Sequence, residues 1–315
     1  MKDNRNNSFN NCKGIVVAIK ANFLIVEISN HDLKENLVDQ ISKKIRLLCS
    51  RRSKLDYKGL FVDVGDVVIV ESIDYKNKRA VISEVEPRKS FLKRPAVANV
   101  TQIAICISVA EPSLDIEQTS RFLLTAECAS IKPIIILTKI DLIQNNDLKL
   151  YINKLKLWGY ESVAVSIKNV HGIALLVDLL SKTRLTVLAG PSGVGKTSLI
   201  NQLIPTLSLP TASVSKKLKR GTHTTRHVEL FSIGQGSFLA DTPGFNRPEI
   251  ICEPSDFASL FPELRAQLIN SHCKFRDCLH REEPGCGINK DFERYFFYRE
   301  YLEEMINSPQ SFQGG

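Results

Sequence analysis

No stretch of this 315-residue chain approaches the ~20 consecutive apolar residues that a membrane-spanning helix needs, which excludes a helical membrane protein. The opening MKDNRNNSFNNCKG has no apolar signal core, and it is too short and too polar for a transit peptide. Residues 1–12 therefore read as a disordered tail on a cytoplasmic protein with no membrane partner. A basic excess is missing from most of the chain: residues 96–315 hold 23 Lys/Arg against 22 Asp/Glu. The net charge of +8 is concentrated in residues 1–95, where 19 basic residues face 12 acidic ones. A basic domain at one end implies a polyanionic partner, most often nucleic acid.

Residues 13–87 read as all-β. KGIVVAIKANFLIVEI gives two strands around an Ala-Asn turn, and KKIRLLCS, GDVVIVESID and KRAVISEVEP give three more. Five short strands in about 80 residues suit a small barrel of the OB-fold type. The polar loop SRRSKLDYKG supplies Arg51, Arg52, Lys54 and Lys58 as phosphate contacts for a nucleic acid. Residues 88–98 form a proline-containing basic linker. From residue 99 to 248 apolar strands alternate with helical patterns, the signature of an α/β domain with a parallel sheet. Residues 249–315 are helical and loop-rich.

GPSGVGKT follows the apolar strand LTVLA and precedes the helix SLINQL, the context a phosphate loop requires. Gly190, Pro191, Ser192, Gly193, Val194 and Gly195 would wrap a β-phosphate with backbone N–H groups, helped by the helix N-terminus at Lys196, Thr197 and Ser198. Lys196 would bridge the β- and γ-phosphates, and the Thr197 hydroxyl would bind Mg²⁺. The later strand GSFLADTPGF ends in a D-x-x-G pattern, with Asp241 for Mg²⁺ and Gly244 for the γ-phosphate. Between them the basic loop SKKLKRGTHTTRH offers Thr224 or Thr225 to complete the Mg²⁺ shell. The position after D-x-x-G, where many GTPases keep a water-orienting glutamine, is Phe245. His223 is the internal candidate to orient water, with His227 its rival, and slow intrinsic turnover is expected.

PIIILTKID lies upstream of the phosphate loop rather than downstream. Asp141 would accept from guanine N1–H and N2–H₂, which adenine cannot supply. Thr138 would tie this segment to the phosphate loop, Lys139 would pack over the base, and N–H groups near Ser166 and Ile167 would meet O6. A parallel sheet depends on strand adjacency, so a circular permutation accounts for the order. Cys273, Cys278, His280 and Cys286 give Cys-x₄-Cys-x-His-x₅-Cys, a closed set suited to one structural Zn²⁺, with His272 as a competing ligand.

The order TKID, VSI, GPSGVGKT, HTT, DTPG, with a basic OB-like domain before it and FPEL…CKFRDCLHREEPGC after it, resembles the ribosome small-subunit-dependent GTPase A family. The resemblance selects His280 as the zinc ligand. It implies an OB-fold barrel, a circularly permuted P-loop GTPase domain and a zinc-binding helical module. It further implies a monomer that hydrolyses GTP to GDP, stimulated by the small (30S) ribosomal subunit and its rRNA. The competing readings are a GTPase acting on another RNA or on the large subunit, an RNA-binding scaffold with weak NTPase activity, and a P-loop kinase or ATPase that needs no TKID. Thr138 stands where many relatives carry Asn, and Arg226 where a third Thr is common.

Overall fold

The structure is a computed structural model. It describes residues 11–21, 23–29, 44–57, 61–205, 207, 228–234, 236–242, 245 and 250–307. The strands in chain order begin with β1 (Cys12–Lys20), β2 (Phe23–Ser29), β3 (Lys44–Arg51), β4 (Val67–Asp74) and β5 (Arg79–Val85). A two-stranded ladder of β6 (Phe91–Leu92) and β7 (Val97–Ala98) follows. Next come β8 (Gln102–Ser108), β9 (Lys132–Thr138), β10 (Ser162–Ala164), β11 (Leu185–Ala189), β12 (Glu229–Gly234) and β13 (Ser237–Asp241). The chain divides into two compact units that are discontinuous in sequence. One comprises the described parts of residues 1–101, 180–187 and 220–244, and the other holds the remainder.

In the first unit β1 pairs antiparallel with both β2 and β4, β2 with β3, and β4 with β5, while β3 pairs parallel with β5. That closes a five-stranded barrel, which removes free sheet edges. Its interior is filled by one face of each strand, including Val16, Val26, Leu47, Val70 and Ile82. Alternation of apolar and polar residues made this face legible. Arg46 reaches from β3 to Glu229 (3.1 Å) and to the Leu230 carbonyl (3.2 Å), joining the barrel to β12. β12 runs antiparallel to β13, and β11 parallel to it.

Two parts of this unit differ from the sequence reading. The SRRSKLDYKG segment contains a short helix, α1 (Ser53–Tyr57), anchored by buried Leu55, and Arg52 is engaged by Glu71. Arg51 and Lys54 are exposed, and Lys58 lies outside the described residues. The 88–98 segment folds onto the barrel. Arg88 donates to both carboxylate oxygens of fully buried Asp66 and to Asp63, each at 2.8 Å, and lies over the Phe91 ring. A guanidinium paired with a buried carboxylate in this way anchors structure and leaves little for a nucleic acid.

In the second unit β8, β9 and β10 run parallel in the order β10–β9–β8. All seven residues of β8 are buried, as are the last five of β9, which is why both appear as unbroken apolar runs. The helices are α2 (Ile116–Cys128), α3 (Asn145–Leu157), α4 (Ile173–Ser181), α5 (Lys196–Leu203), α6 (Pro262–Leu268) and α7 (Tyr295–Ile306). The Asp115 carboxylate caps α2 by accepting from Gln118 N–H (3.0 Å). Beyond residue 250 the core is aromatic, with Phe257, Phe261 and Tyr298 mutually packed at 5.3–5.4 Å between ring centroids. Arg294 is fully buried and makes a two-pronged pair with Glu263. Trp158, Tyr160 and Phe261 surround its guanidinium at 5.0–5.4 Å. Among the described residues no helix is long and apolar enough to cross a membrane.

Candidate nucleotide site and metal centre

Ligands of parallel α/β sheets bind beyond the carboxyl ends of the strands. Here those ends are aligned: Ser108 sits opposite Thr138, and Leu137 opposite Ala164. Three of the predicted segments, 138–141, 166–167 and 190–198, meet in this one unit.

The phosphate loop has the backbone that only glycine tolerates. Gly190 has φ +134°, and a Cβ there would fall 2.2 Å from the Cys106 carbonyl oxygen on β8. Gly195, at φ +96°, is the N-cap of α5. Val194 is buried, whereas Ser192 and Gly193 are exposed and Pro191, Thr197 and Ser198 are half-buried. The Lys196 ammonium donates back to the loop's own Gly190 (2.7 Å) and Pro191 (2.6 Å) carbonyls. Beneath the loop, burial pushes the Cys106 thiol up to about 12, with Lys196 pulling the other way.

Thr138 ends β9. Its buried hydroxyl lies 2.7 Å from the Val194 carbonyl and fastens the end of β9 to the phosphate loop. Lys139 takes the left-handed conformation (φ +59°) that turns the chain into the short 3₁₀ segment Ile140–Leu142, and its ammonium donates to the Glu111 carbonyl. Asp141 is half-buried, and Ser166 Oγ donates to its Oδ1 at 2.6 Å. The sequence offered Ser166 only as a backbone donor, so its hydroxyl contact with Asp141 is new. VSI is also not a continuous strand. β10 stops at Ala164, and Ser166 exchanges backbone hydrogen bonds with His171 (3.1 and 3.0 Å). That turn orients the Ser166 hydroxyl, which also accepts from Asn169 N–H. Ile167 follows in the same turn, its carbonyl accepting from Val170 N–H.

Asp241 is half-buried and closes β13 in the other unit, opposite Glu229. Phe245 is buried, with its ring edge against Phe122 (6.1 Å) and its carbonyl accepting from Gly190 N–H (3.4 Å). It cannot position a water. His223, Thr224, Thr225, Arg226, His227 and Gly244 lie outside the described residues.

The Cys/His motif converges as well. The Sγ atoms of Cys273, Cys278 and Cys286 and a ring nitrogen of His280 all lie within 4.8 Å of one another. His280 Nδ1 is 3.5 Å from Cys273 Sγ and 3.6 Å from Cys286 Sγ. A tetrahedral ion with bonds of about 2.3 Å to sulfur and about 2.0 Å to nitrogen requires S···N separations of about 3.5 Å, so the donor set fits zinc. His272 is not part of the converging set. The surrounding backbone is fixed by its own partners. Glu283 accepts from Leu279 (3.0 Å) and Arg281 (2.7 Å) N–H, Tyr295 donates to the His280 carbonyl (3.0 Å), and Tyr298 donates to that of Leu279 (2.5 Å). Nothing in the residue pattern marks these two tyrosines of α7 as holding the loop.

A family model described as RsgA GTPase matches residues 85–251. The chain is 74% identical over 312 residues to the small ribosomal subunit biogenesis GTPase RsgA of Prochlorococcus marinus strain NATL2A, covering 99% of this chain and all of that one. Its fold is similar to the crystal structure of YjeQ from Thermotoga maritima, with a TM-score of 0.75 and 28% identity over 95% of this chain and 99% of the other. It is also similar to YloQ, described as a circularly permuted GTPase, with a TM-score of 0.73 and 27% identity over 97% and 98% of the two chains.

Proposed function

The chain belongs to the RsgA GTPase family, and from that premise we propose that it is a cytoplasmic, monomeric, late-stage maturation factor of the small (30S) ribosomal subunit. In this reading it binds GTP with magnesium and hydrolyses it to GDP and phosphate on the subunit. The observation that carries the reading is the linked pair of contacts at the strand ends: Ser166 fixes the Asp141 carboxylate, and Thr138 fixes the same segment to the phosphate loop. A kinase or ATPase has no use for a carboxylate held in that position.

In the proposed site Asp141 reads guanine N1–H and N2–H₂, Lys139 covers the base, and backbone N–H groups near Ser166 and Ile167 meet O6, the Ser166 N–H itself being held by the His171 carbonyl. Residues 190–198 hold the phosphates, with Lys196 as the cation between the β- and γ-groups. The Thr197 hydroxyl and Asp241 would hold magnesium, helped by Thr224 or Thr225; when bound, the ion neutralises charge on the transferring phosphoryl group. Gly244 N–H would meet the γ-phosphate. With Phe245 buried, His223 is the residue proposed to orient water, and the small subunit is required to bring it into place. Cys273, Cys278, His280 and Cys286 would hold one structural zinc, which leaves no open coordination position for chemistry.

The basic barrel is the proposed rRNA-binding element, and the basic residues around 215–227 respond to nucleotide. Co-sedimentation with purified subunits tests this. Binding to the small subunit is expected with a non-hydrolysable GTP analogue and is weakened with GDP. Raising salt from 50 to 200 mM should lower the affinity by at least roughly tenfold, because phosphate contacts release counterions. Equal affinity in the two nucleotide states would reject the coupling, and preference for the large subunit would reject the partner.

A further inference from the structure

The 88–98 segment is a small hairpin fixed to the barrel. β6 and β7 pair antiparallel, with Phe91 opposite Ala98 and Leu92 opposite Val97, so residues 93–96 form its tip. The hairpin is joined to the chain that leads into β4. Val64 and Val97 form a parallel bridge, Ala98 N–H donates to the Val64 carbonyl (2.8 Å), and Asn99 Nδ2 donates to that of Gly65 (3.0 Å). Asn99 Oδ1 accepts from Lys89 N–H (2.9 Å). Because the bridge is parallel, the chain running back from Val64 to Phe61 follows the direction of the chain running back from Val97 to the hairpin tip. Arg88 ties the two together: its guanidinium donates to the Phe61 carbonyl (2.9 Å) and lies 4.4 Å from the centre of the Phe91 ring. Phe61 itself is 79% exposed. A lone exposed phenylalanine is ordinary on a protein surface. This one stands beside cations that no carboxylate holds: Lys89 and Lys93 are exposed and in no ion pair among the described residues. Other barrel cations are engaged, Lys13 by Glu86, Lys44 and Arg46 by Glu27, and Arg52 by Glu71.

We propose that Phe61 and this hairpin form a site for single-stranded RNA, in which the Phe61 ring stacks on one unpaired base and Lys89 and Lys93 contact the flanking phosphates. The proposal rests on the reading of the chain as an rRNA-binding factor. It places the contact at the hairpin rather than at residues 51–58, where Arg52 is already engaged by Glu71. Stacking on an aromatic ring accepts any base, because every base has a π-face, and the lysines neutralise phosphates as point charges. The backbone under the ring is fixed before RNA arrives. Arg88 holds the Phe61 carbonyl and is itself held by Asp66 and Asp63, so little ordering is left for binding to impose. The excess of 19 basic over 12 acidic residues in the first 95 favours a polyanion over a peptide as the occupant.

The test measures binding of the full chain to a labelled single-stranded RNA of about 12 nucleotides, by fluorescence anisotropy at several salt concentrations. Phe61→Ala weakens binding roughly tenfold with the salt dependence unchanged, the effect of losing one stacked base, and Phe61→Trp restores it. Lys89→Ala and Lys93→Ala each flatten the slope of log affinity against log salt by about 0.7, the contribution of one phosphate of a single strand. An RNA duplex of the same length binds more weakly and does not respond to Phe61→Ala. All three side chains are exposed, and an unchanged circular dichroism spectrum checks the fold of each variant. Unaltered affinity in Phe61→Ala, or unaltered slopes in both lysine variants, overturns the proposal. If those variants still co-sediment with small subunits, the ribosomal reading stands and the hairpin site alone falls. A chain that binds neither RNA nor small subunits overturns both. Loss of small-subunit binding in Phe61→Ala with RNA affinity unchanged identifies a protein contact and also overturns the RNA site.

Discussion

Asp141→Asn lowers the affinity for GDP by roughly a thousandfold, the loss of about two charge-assisted hydrogen bonds at 1.5–3 kcal/mol each. Ser166 already holds one side of this carboxylate, so the side chain faces the base without having to be ordered on binding. The asparagine amide turns a donor toward the guanine N2 amine, which is also a donor. Xanthine carries an oxygen at that carbon, so the variant should gain affinity for xanthosine diphosphate as it loses GDP. Ser166→Ala keeps the charge and loses only its orientation, and is expected to cost roughly tenfold in GDP affinity, the worth of about one hydrogen bond to a charged group. Calorimetric titration of GDP, xanthosine diphosphate and ADP checks all of this. Unchanged GDP binding in Asp141→Asn would mean that the base is read elsewhere, and a gain of ADP would mean that the pocket does not select guanine.

Removal of the metal proposed for the Cys/His cluster is expected to have the second large effect. The loop from Cys273 to Cys286 has little apolar burial of its own: the cluster beneath it is built from Phe257, Phe261, Leu264, Tyr298, Tyr301 and Leu302. Binding of zinc to such sites contributes about 10 kcal/mol or more at pH 7 in small metal-dependent domains, so a chelator should melt this loop outright. Tyr295 and Tyr298 would then lose the Leu279, His280 and Arg281 carbonyls they donate to, and near-ultraviolet circular dichroism should report it. Cys278→Ser should reproduce the change and lower metal stoichiometry from one per chain toward zero. GDP binding is expected to survive within about tenfold, because β8, β9 and the phosphate loop are joined through their own contacts, an effect near 1.4 kcal/mol at most. If the chelated chain kept its aromatic signal, the four residues would not form a structural metal site.

Much of this was legible from the sequence, for physical reasons that differ by element. β8 and β9 appeared as unbroken apolar runs because both of their faces are covered. The phosphate loop was legible because its glycines are forced, as the approach of Gly190 to Cys106 shows. The Cys/His set was legible because its donors are close in sequence. What stayed hidden joins residues far apart. Ser166 and Asp141 are separated by 25 positions, and Arg294 and Glu263 by 31. The basic residues misled for a related reason. Arg88 and Arg52 count toward the positive charge of the N-terminal third, yet Asp66, Asp63 and Glu71 already neutralise them. Charge counting could not distinguish a cation already paired with a carboxylate from one open to a phosphate.

The proposed dependence on the ribosome is tested most directly by the rate of GTP hydrolysis at saturating nucleotide, measured with the chain alone, with purified small subunits and with purified large subunits. With Phe245 buried where a water-orienting residue would stand, hydrolysis by the chain alone should be slow. Small subunits should raise it by roughly a hundredfold or more, the scale on which a partner completes such sites. An equally fast rate without subunits, or equal stimulation by the large subunit, would contradict it.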